Sequence, residues 1–184
     1  MADNKYGLDY EFEFRTVRYE DRDALKRFVC EEGAIADFIH NESLDSERDI
    51  TYLFIDKENG NVICYCSICC NGITVLMDSG TGEYNTNIPA IEIDFFAIDE
   101  RYRGIKFDAE SGRYDTLSRV FFFYMIEKIK EISGSVVGAE AVCLYAVPQA
   151  VSFYKRCGFS EFEQFMVQDT KPFIEGCIPM FYLL

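Results

Sequence analysis

Residues 88–98, IPAIEIDFFAI, constrain the fold more than any other part of the chain. The run is long, apolar and rich in β-branched and aromatic residues, which suits the central strand of a sheet. Its polar members Glu92 and Asp94 stand out against that background. Downstream, residues 116–132 carry Leu117, Val120, Phe121, Tyr124, Met125, Ile126 and Ile129 at three- and four-residue spacing, which predicts a long helix. Residues 141–147 read as a short buried strand. Pro148 then stands where the first turn of a helix gives up no needed N–H, and Gly158 stands where that helix should stop, after about Cys157.

Upstream, residues 10–18 alternate apolar and polar side chains and predict a first strand. From Asp21, the segment DRDALKRFVCEEG reads as a helix with Leu25, Phe28 and Val29 on one face and Gly33 as its stop. Residues 34–41 follow as a second short helix. Residues 50–56 and 62–71 predict two strands joined by a Glu58-Asn59-Gly60-Asn61 turn. Residues 73–77 either extend the second or form a piece of their own. Two closing strands are expected at 162–167 and 178–184. The order is β-α-α-β-β-β-α-β-α-β-β, an α/β fold with a mixed central sheet flanked by helices. With no repeat, low-complexity tract or linker, all 184 residues are expected to form one domain.

Charge narrows the partners. The chain has 18 basic and 32 acidic residues, a formal net charge of −14. Such a body repels phosphate backbones and anionic membrane surfaces, so nucleic acid and membrane partners are disfavoured. The N-terminal MADNKYGLDYEFEF lacks the basic and apolar regions of a secretory signal, and no apolar run is long enough to span a bilayer. With eight Cys and no signal, reduced thiols and a cytoplasmic location are expected.

Against the acidic background, Arg101, Arg103, Lys106 and Arg113 cluster with only Asp108 and Glu110 opposing them. The segment contains Gly104 and feeds the long helix, an arrangement that presents backbone N–H groups and a positive dipole end to an anion such as phosphate. The same residues equally suit a solvated loop. Tyr154, in SFYKRCGF, carries a phenol able to protonate a departing thiolate, although an isolated Tyr in such a helix is more commonly a packing residue.

Together, IEIDFFAIDERYRG, the long helix, AVCLYAVPQAVSFYKRCGF and the closing IPMFYLL resemble the GNAT superfamily of acyl-CoA-dependent N-acyltransferases. The most specific match is A-x-x-F-Y-x-x-x-G-F at residues 150–159. The tail and the I-P-x-x-E-I opening of the central strand are most similar to the branch that includes toxin-type acetyltransferases. The resemblance implies a single-domain GNAT fold and acetyl transfer from acetyl-CoA, as co-substrate and without a metal, to a primary amine of a small molecule or protein. It implies that the backbone of Phe96, Ala97 and Ile98 holds the thioester and pantetheine arm. The loop Arg101, Arg103, Gly104, Ile105 and Lys106 would take the pyrophosphate, Tyr154 would act as general acid and Glu92 as general base. Many relatives pair, which extends to a homodimer.

That chemistry suits these residue types. A lysine-like amine is mostly protonated at neutral pH and must lose a proton before attacking a thioester, which a carboxylate can accept. Backbone N–H groups stabilise the oxyanion, and direct transfer needs no covalent enzyme intermediate. The chain departs from the family at Lys106, where a small residue is expected, and at FDAESGRYD, residues 107–115, which precede the helix. An insertion there would displace the helix start from the phosphate. It keeps open a non-catalytic CoA-binding or regulatory module, alongside a toxin-type enzyme acting on aminoacyl-tRNA.

Other features carry less. Cys64, Cys66 and Cys70 fall on one face of a strand and Cys69 on the other, without the second paired motif zinc would need, so buried thiols are expected. His40 is the single histidine, no Gly-x-Ser-x-Gly elbow accompanies it, and it is expected to be structural or at the surface. Glu31, Glu32, Asp37, Glu42, Asp45 and Glu47 form an acidic stretch, read as solvated helix faces, with guidance of a cationic acceptor as the lesser reading.

Overall fold

The computed structural model describes residues 11–108, 114–162 and 176–184. In chain order the elements are β1 (Phe12–Thr16), α1 (Arg22–Lys26), α2 (Gly33–Asn41), β2 (Ile50–Asp56), β3 (Val62–Asp78) and β4 (Glu83–Ile98). There follow β5 (Lys106–Asp108), β6 (Tyr114–Thr116), α3 (Leu117–Ser135), β7 (Ala141–Ala146), α4 (Val151–Arg156), β8 (Ser160–Glu161) and β9 (Ile178–Leu183). Seven strands form one sheet in the order β1-β2-β3-β4-β7-β9-β8, while β5 and β6 pair with each other. The β4–β7 pair is parallel and β1–β2, β2–β3, β7–β9 and β8–β9 are antiparallel, so the sheet is mixed, as the sequence implies.

Three expectations change. The first helix is only five residues long, because Val29 is drawn into a turn where its N–H donates to the Asp99 carboxylate and its carbonyl accepts from Glu100 N–H, both at 3.0 Å. Gly33 then opens α2 instead of closing α1. Residues 73–77 extend β3, the first of their two expected readings, but β4 begins five residues before the expected start, the two strands meeting at a turn closed by Ser79 N–H to Gly82 O at 3.1 Å. Of the strand expected over 162–167, Phe162 is not in a strand and residues 163–167 lie outside the described ones, while a two-residue β8 stands just before it at Ser160–Glu161.

The chain divides into two compact units. The first comprises residues up to 68 together with Phe95–Met125. Period-two alternation in β2 sends Leu53 and Ile55 to one face, where they pack with Leu25, Phe28 and Ile39 of the α1–α2 region and with Tyr65, Phe95 and Ala97. Phe54 turns to the opposite face and meets Phe12 and Phe14 of β1 and Phe121 and Tyr124 of α3, with ring centroids 4.4–5.7 Å apart. Burial of these large side chains from water drives this layer together.

The second unit comprises Cys69–Asp94 and Ile126–Leu184. Its sheet core joins Ile73 of β3, Ala90 of β4 and Ala141 and Cys143 of β7, with Val75, Ile88, Phe162 and Phe181 packed around them. Pro148 opens a 3-10 turn that leads into α4, as expected, and Gly158 closes it at φ +94°, a conformation that favours glycine. Tyr182 of β9 lies 3.4 Å from where a Cβ on Gly158 would stand, so this glycine also allows a close approach.

Candidate active site

Glu92 lies in the second unit and is 2% exposed. Its Cα partner across the parallel pair is Cys143. From β3, Asn71 Nδ2 donates to Glu92 Oε2 at 2.6 Å and the Cys69 thiol donates to the same oxygen at 3.6 Å. Burial, and then the nearby Glu92 charge, push the Cys143 thiol well up, so it stays protonated near neutral pH. Tyr154, also in this unit, is 8% exposed on α4 and sits edge-on to Phe153 and tilted against Phe159, at 5.2 and 6.0 Å between centroids. The carbonyl of Tyr154 accepts from Phe159 N–H at 3.0 Å, which binds the helix end to the residues that follow.

The parallel register of β4 with β7 runs from Ala90↔Ala141 to Ile93↔Leu144. Strand β4 continues past those partners through Phe96, Ala97 and Ile98, which belong to the first unit. Phe96 stands edge-on to Phe122 at 5.0 Å, and Ala97 and Ile98 are buried.

Beyond Ile98 the chain enters a 3-10 turn, Glu100–Tyr102, that begins on Asp99. Tyr102 anchors it by donating to Asp56 Oδ2 at 2.8 Å. Arg101 is engaged by the Asp99 carboxylate through Nε at 2.8 Å and Nη2 at 2.7 Å, and Nη2 also reaches the Arg27 carbonyl at 3.2 Å. Arg103 pairs with Glu31 through a short Nη1 to Oε2 contact. Arg101 and Arg103 of the basic island thus carry carboxylate partners, which the local charge count does not reveal. Gly104 follows, exposed, at φ +74°.

The chain on either side of the expected insertion comes together at the start of α3. Residues 106–108 and 114–116 pair as an antiparallel ribbon, with Lys106 opposite Thr116 at its base. The ribbon therefore leaves and rejoins the chain at one point, and the Ile105 carbonyl accepts from Leu117 N–H at 3.1 Å. The Lys106 side chain and Arg113 lie outside the described residues.

Glu92 and Tyr154 thus fall in the second unit, and Phe96, Ala97, Ile98, Arg101, Arg103, Gly104 and Ile105 in the first. Sequence reasoning missed Asn71, Cys69 and Asp99. Cys69 and Asn71 are two residues apart on one strand, the spacing that places side chains on one face, but only the β3–β4 hairpin shows that this face meets Glu92. The cysteines are all unbridged; Cys64, Cys66, Cys69 and Cys143 are buried, whereas Cys70, expected with the buried set, is exposed. His40 Nε2 contacts the Phe28 carbonyl at 2.8 Å. Among the described residues no cluster suited to a metal occurs, and no helix is long and apolar enough to cross a membrane.

No protein-family model and no curated protein matches the sequence. Solved structures do match. The AtaTR complex bound with acetyl-CoA is 19% identical, with 96% of this chain and 95% of that one covered and a TM-score of 0.70. NAA60 of Arabidopsis thaliana in complex with acetyl-CoA is 14% identical over 95% and 99% of the two chains, with a TM-score of 0.54. The chain has the GNAT fold. A third GNAT-fold neighbour, the AtaT–AtaR complex bound to DNA, is 19% identical over 93% of each chain with a TM-score of 0.61, so this fold also occurs in assemblies that contain nucleic acid.

Proposed function

We propose that the chain is an N-acetyltransferase, one domain over residues 1–184, that moves acetyl from acetyl-CoA to a primary amine of a small molecule or protein. The observation that carries this reading is the end of the β4–β7 register at Ile93, after which β4 runs on through Phe96, Ala97 and Ile98. Residues 96–98 lie beyond the last β4–β7 partner, at the end of the strand where an extended ligand would run. In this reading they hydrogen-bond the pantetheine arm and polarise the thioester carbonyl. The fold's occurrence in complexes with acetyl-CoA supports the same assignment.

Each residue then has a task. Glu92 takes a proton from the incoming ammonium so that the amine can attack the thioester carbonyl. The backbone of Phe96, Ala97 and Ile98 steadies the charge that develops on the carbonyl oxygen. Tyr154 returns a proton to the departing thiolate. Cys143 is no acyl carrier, because burial and Glu92 keep its thiol protonated. Attack is therefore direct, within a ternary complex. At the pyrophosphate, Gly104 and Ile105 offer backbone, Lys106 an ammonium and Arg103 a guanidinium in competition with Glu31, while Arg101 braces the loop on Asp99.

A direct assay follows CoA thiol release and the mass of the amine product. Glu92→Gln and Tyr154→Phe are each expected to lower kcat by about a hundredfold or more. Full activity in either variant removes that residue from its role, and acetyl-CoA binding without turnover on any amine favours a CoA-binding module.

The likeness to AtaT, a toxin, favours one further reading, in which the acceptor is the amino group of an aminoacyl-tRNA. A chain of net charge −14 needs a basic partner to approach such a polyanion. Acetylation of charged tRNA in preference to every small amine selects this reading.

A further inference from the structure

We propose that Asn71 is a positioning residue for Glu92, holding its carboxylate in place from β3 together with the Cys69 thiol; this rests on the reading of Glu92 as general base. The geometry is specific. The Asn71 amide is oriented by its own backbone neighbourhood, since Gly72 N–H donates to Asn71 Oδ1 at 2.7 Å and so turns Nδ2 toward Glu92 Oε2, 2.6 Å away. The Cys69 thiol reaches the same oxygen at 3.6 Å. Asn71 is itself exposed, whereas Glu92 is buried, so the contact runs from the surface to the buried carboxylate.

The chemistry explains the choice of donors. A buried carboxylate needs hydrogen bonds to stay in place, and one paired closely with a cation gives up much of its readiness to take a proton. An amide and a thiol are neutral donors. They fix the carboxylate without adding positive charge. A misplaced base costs rate steeply, because proton transfer requires hydrogen-bond geometry.

Asn71→Asp separates this role from a structural one. Aspartate preserves the Oδ1 acceptor that Gly72 N–H uses but replaces the Nδ2 donor with a carboxylate oxygen facing Glu92, whereas Asn71→Ala removes the donor without that repulsion and is expected to lower kcat in the same direction. The expected result is a kcat lowered about tenfold or more, with the KM for acetyl-CoA within about twofold of wild type. Wild-type kcat in Asn71→Asp overturns the proposal.

A second readout needs no turnover. The carboxylate stretch of Glu92, isolated by infrared difference against Glu92→Gln, is expected to move in Asn71→Ala, and an unmoved band overturns the proposal. If wild type acetylates no amine while the band still moves, the enzyme reading fails and the contact stands.

Discussion

Asp99 holds Arg101 by two prongs, Oδ1 on Nε at 2.8 Å and Oδ2 on Nη2 at 2.7 Å. The same carboxylate accepts the backbone N–H groups of Arg101 at 2.9 Å and Val29 at 3.0 Å, and Asp99 is 0% exposed. One side chain thus fastens the turn after β4 to the end of the α1 region, next to the segment assigned to the acetyl-CoA pyrophosphate.

Removing that carboxylate strands several donors. Asp99→Ala is expected to lower unfolding free energy by about 2–4 kcal/mol, read from urea denaturation, with Asp99→Asn in between. A loss under about 0.5 kcal/mol would show that the clamp is dispensable.

Acid should loosen the first unit. Burial works against the charge of Asp99, but Arg101 and the N–H of Val29 hold its carboxyl below the usual carboxylate range, and Arg15 does the same for buried Asp21. A folded pKa below the unfolded one stabilises fully above the unfolded value, about 3.9 for Asp, and is lost as pH falls through the folded value. The urea midpoint is therefore expected to drop from about pH 4 downward, and less steeply in Asp99→Asn. Identical acid limbs in the two proteins would contradict this.

In the proposed reading, Arg103 is shared between Glu31 and the acetyl-CoA phosphate. The pair is half-exposed, so releasing it costs little stability. Glu31→Ala is expected to tighten acetyl-CoA binding about two- to fivefold at low salt, with the gain shrinking at high salt. Unchanged affinity would place Arg103 outside the phosphate site.

Thiol chemistry should follow exposure. Burial pushes the Cys64, Cys66 and Cys143 thiols well up, while Cys70 is exposed on the same sheet. Mass-mapped alkylation of the native protein at pH 8 is expected to label Cys70 well ahead of those three. Equal labelling would mean that β3 opens readily.

Much of the fold is legible in the residues themselves. Central strand, long helix and the Pro148–Gly158 segment carry strong local signals, because apolar periodicity and the needs of Pro and Gly act over a few positions. What eludes a linear reading is tertiary. Helix α1 is short because Asp99, seventy residues away, takes Val29 N–H. Arg103 of the basic island is paired because it meets Glu31 across seventy-two residues. Before α3, residues 106–108 pair with 114–116, with Lys106 facing Thr116. At the candidate site, the strand position of Glu92 marks it as unusual, but its partners Asn71 and Cys69 come from a hairpin whose reach no local pattern specifies.

Acetyl-CoA binding and turnover are what the proposed activity most directly requires. Calorimetric titration of the purified chain with acetyl-CoA, followed by thiol release on adding an amine panel, is expected to show saturable binding at micromolar concentration and stoichiometric release of CoA with an acetylated amine. Absence of binding up to about 1 mM, with no thiol released, would contradict the assignment of this GNAT-fold chain as an acetyltransferase.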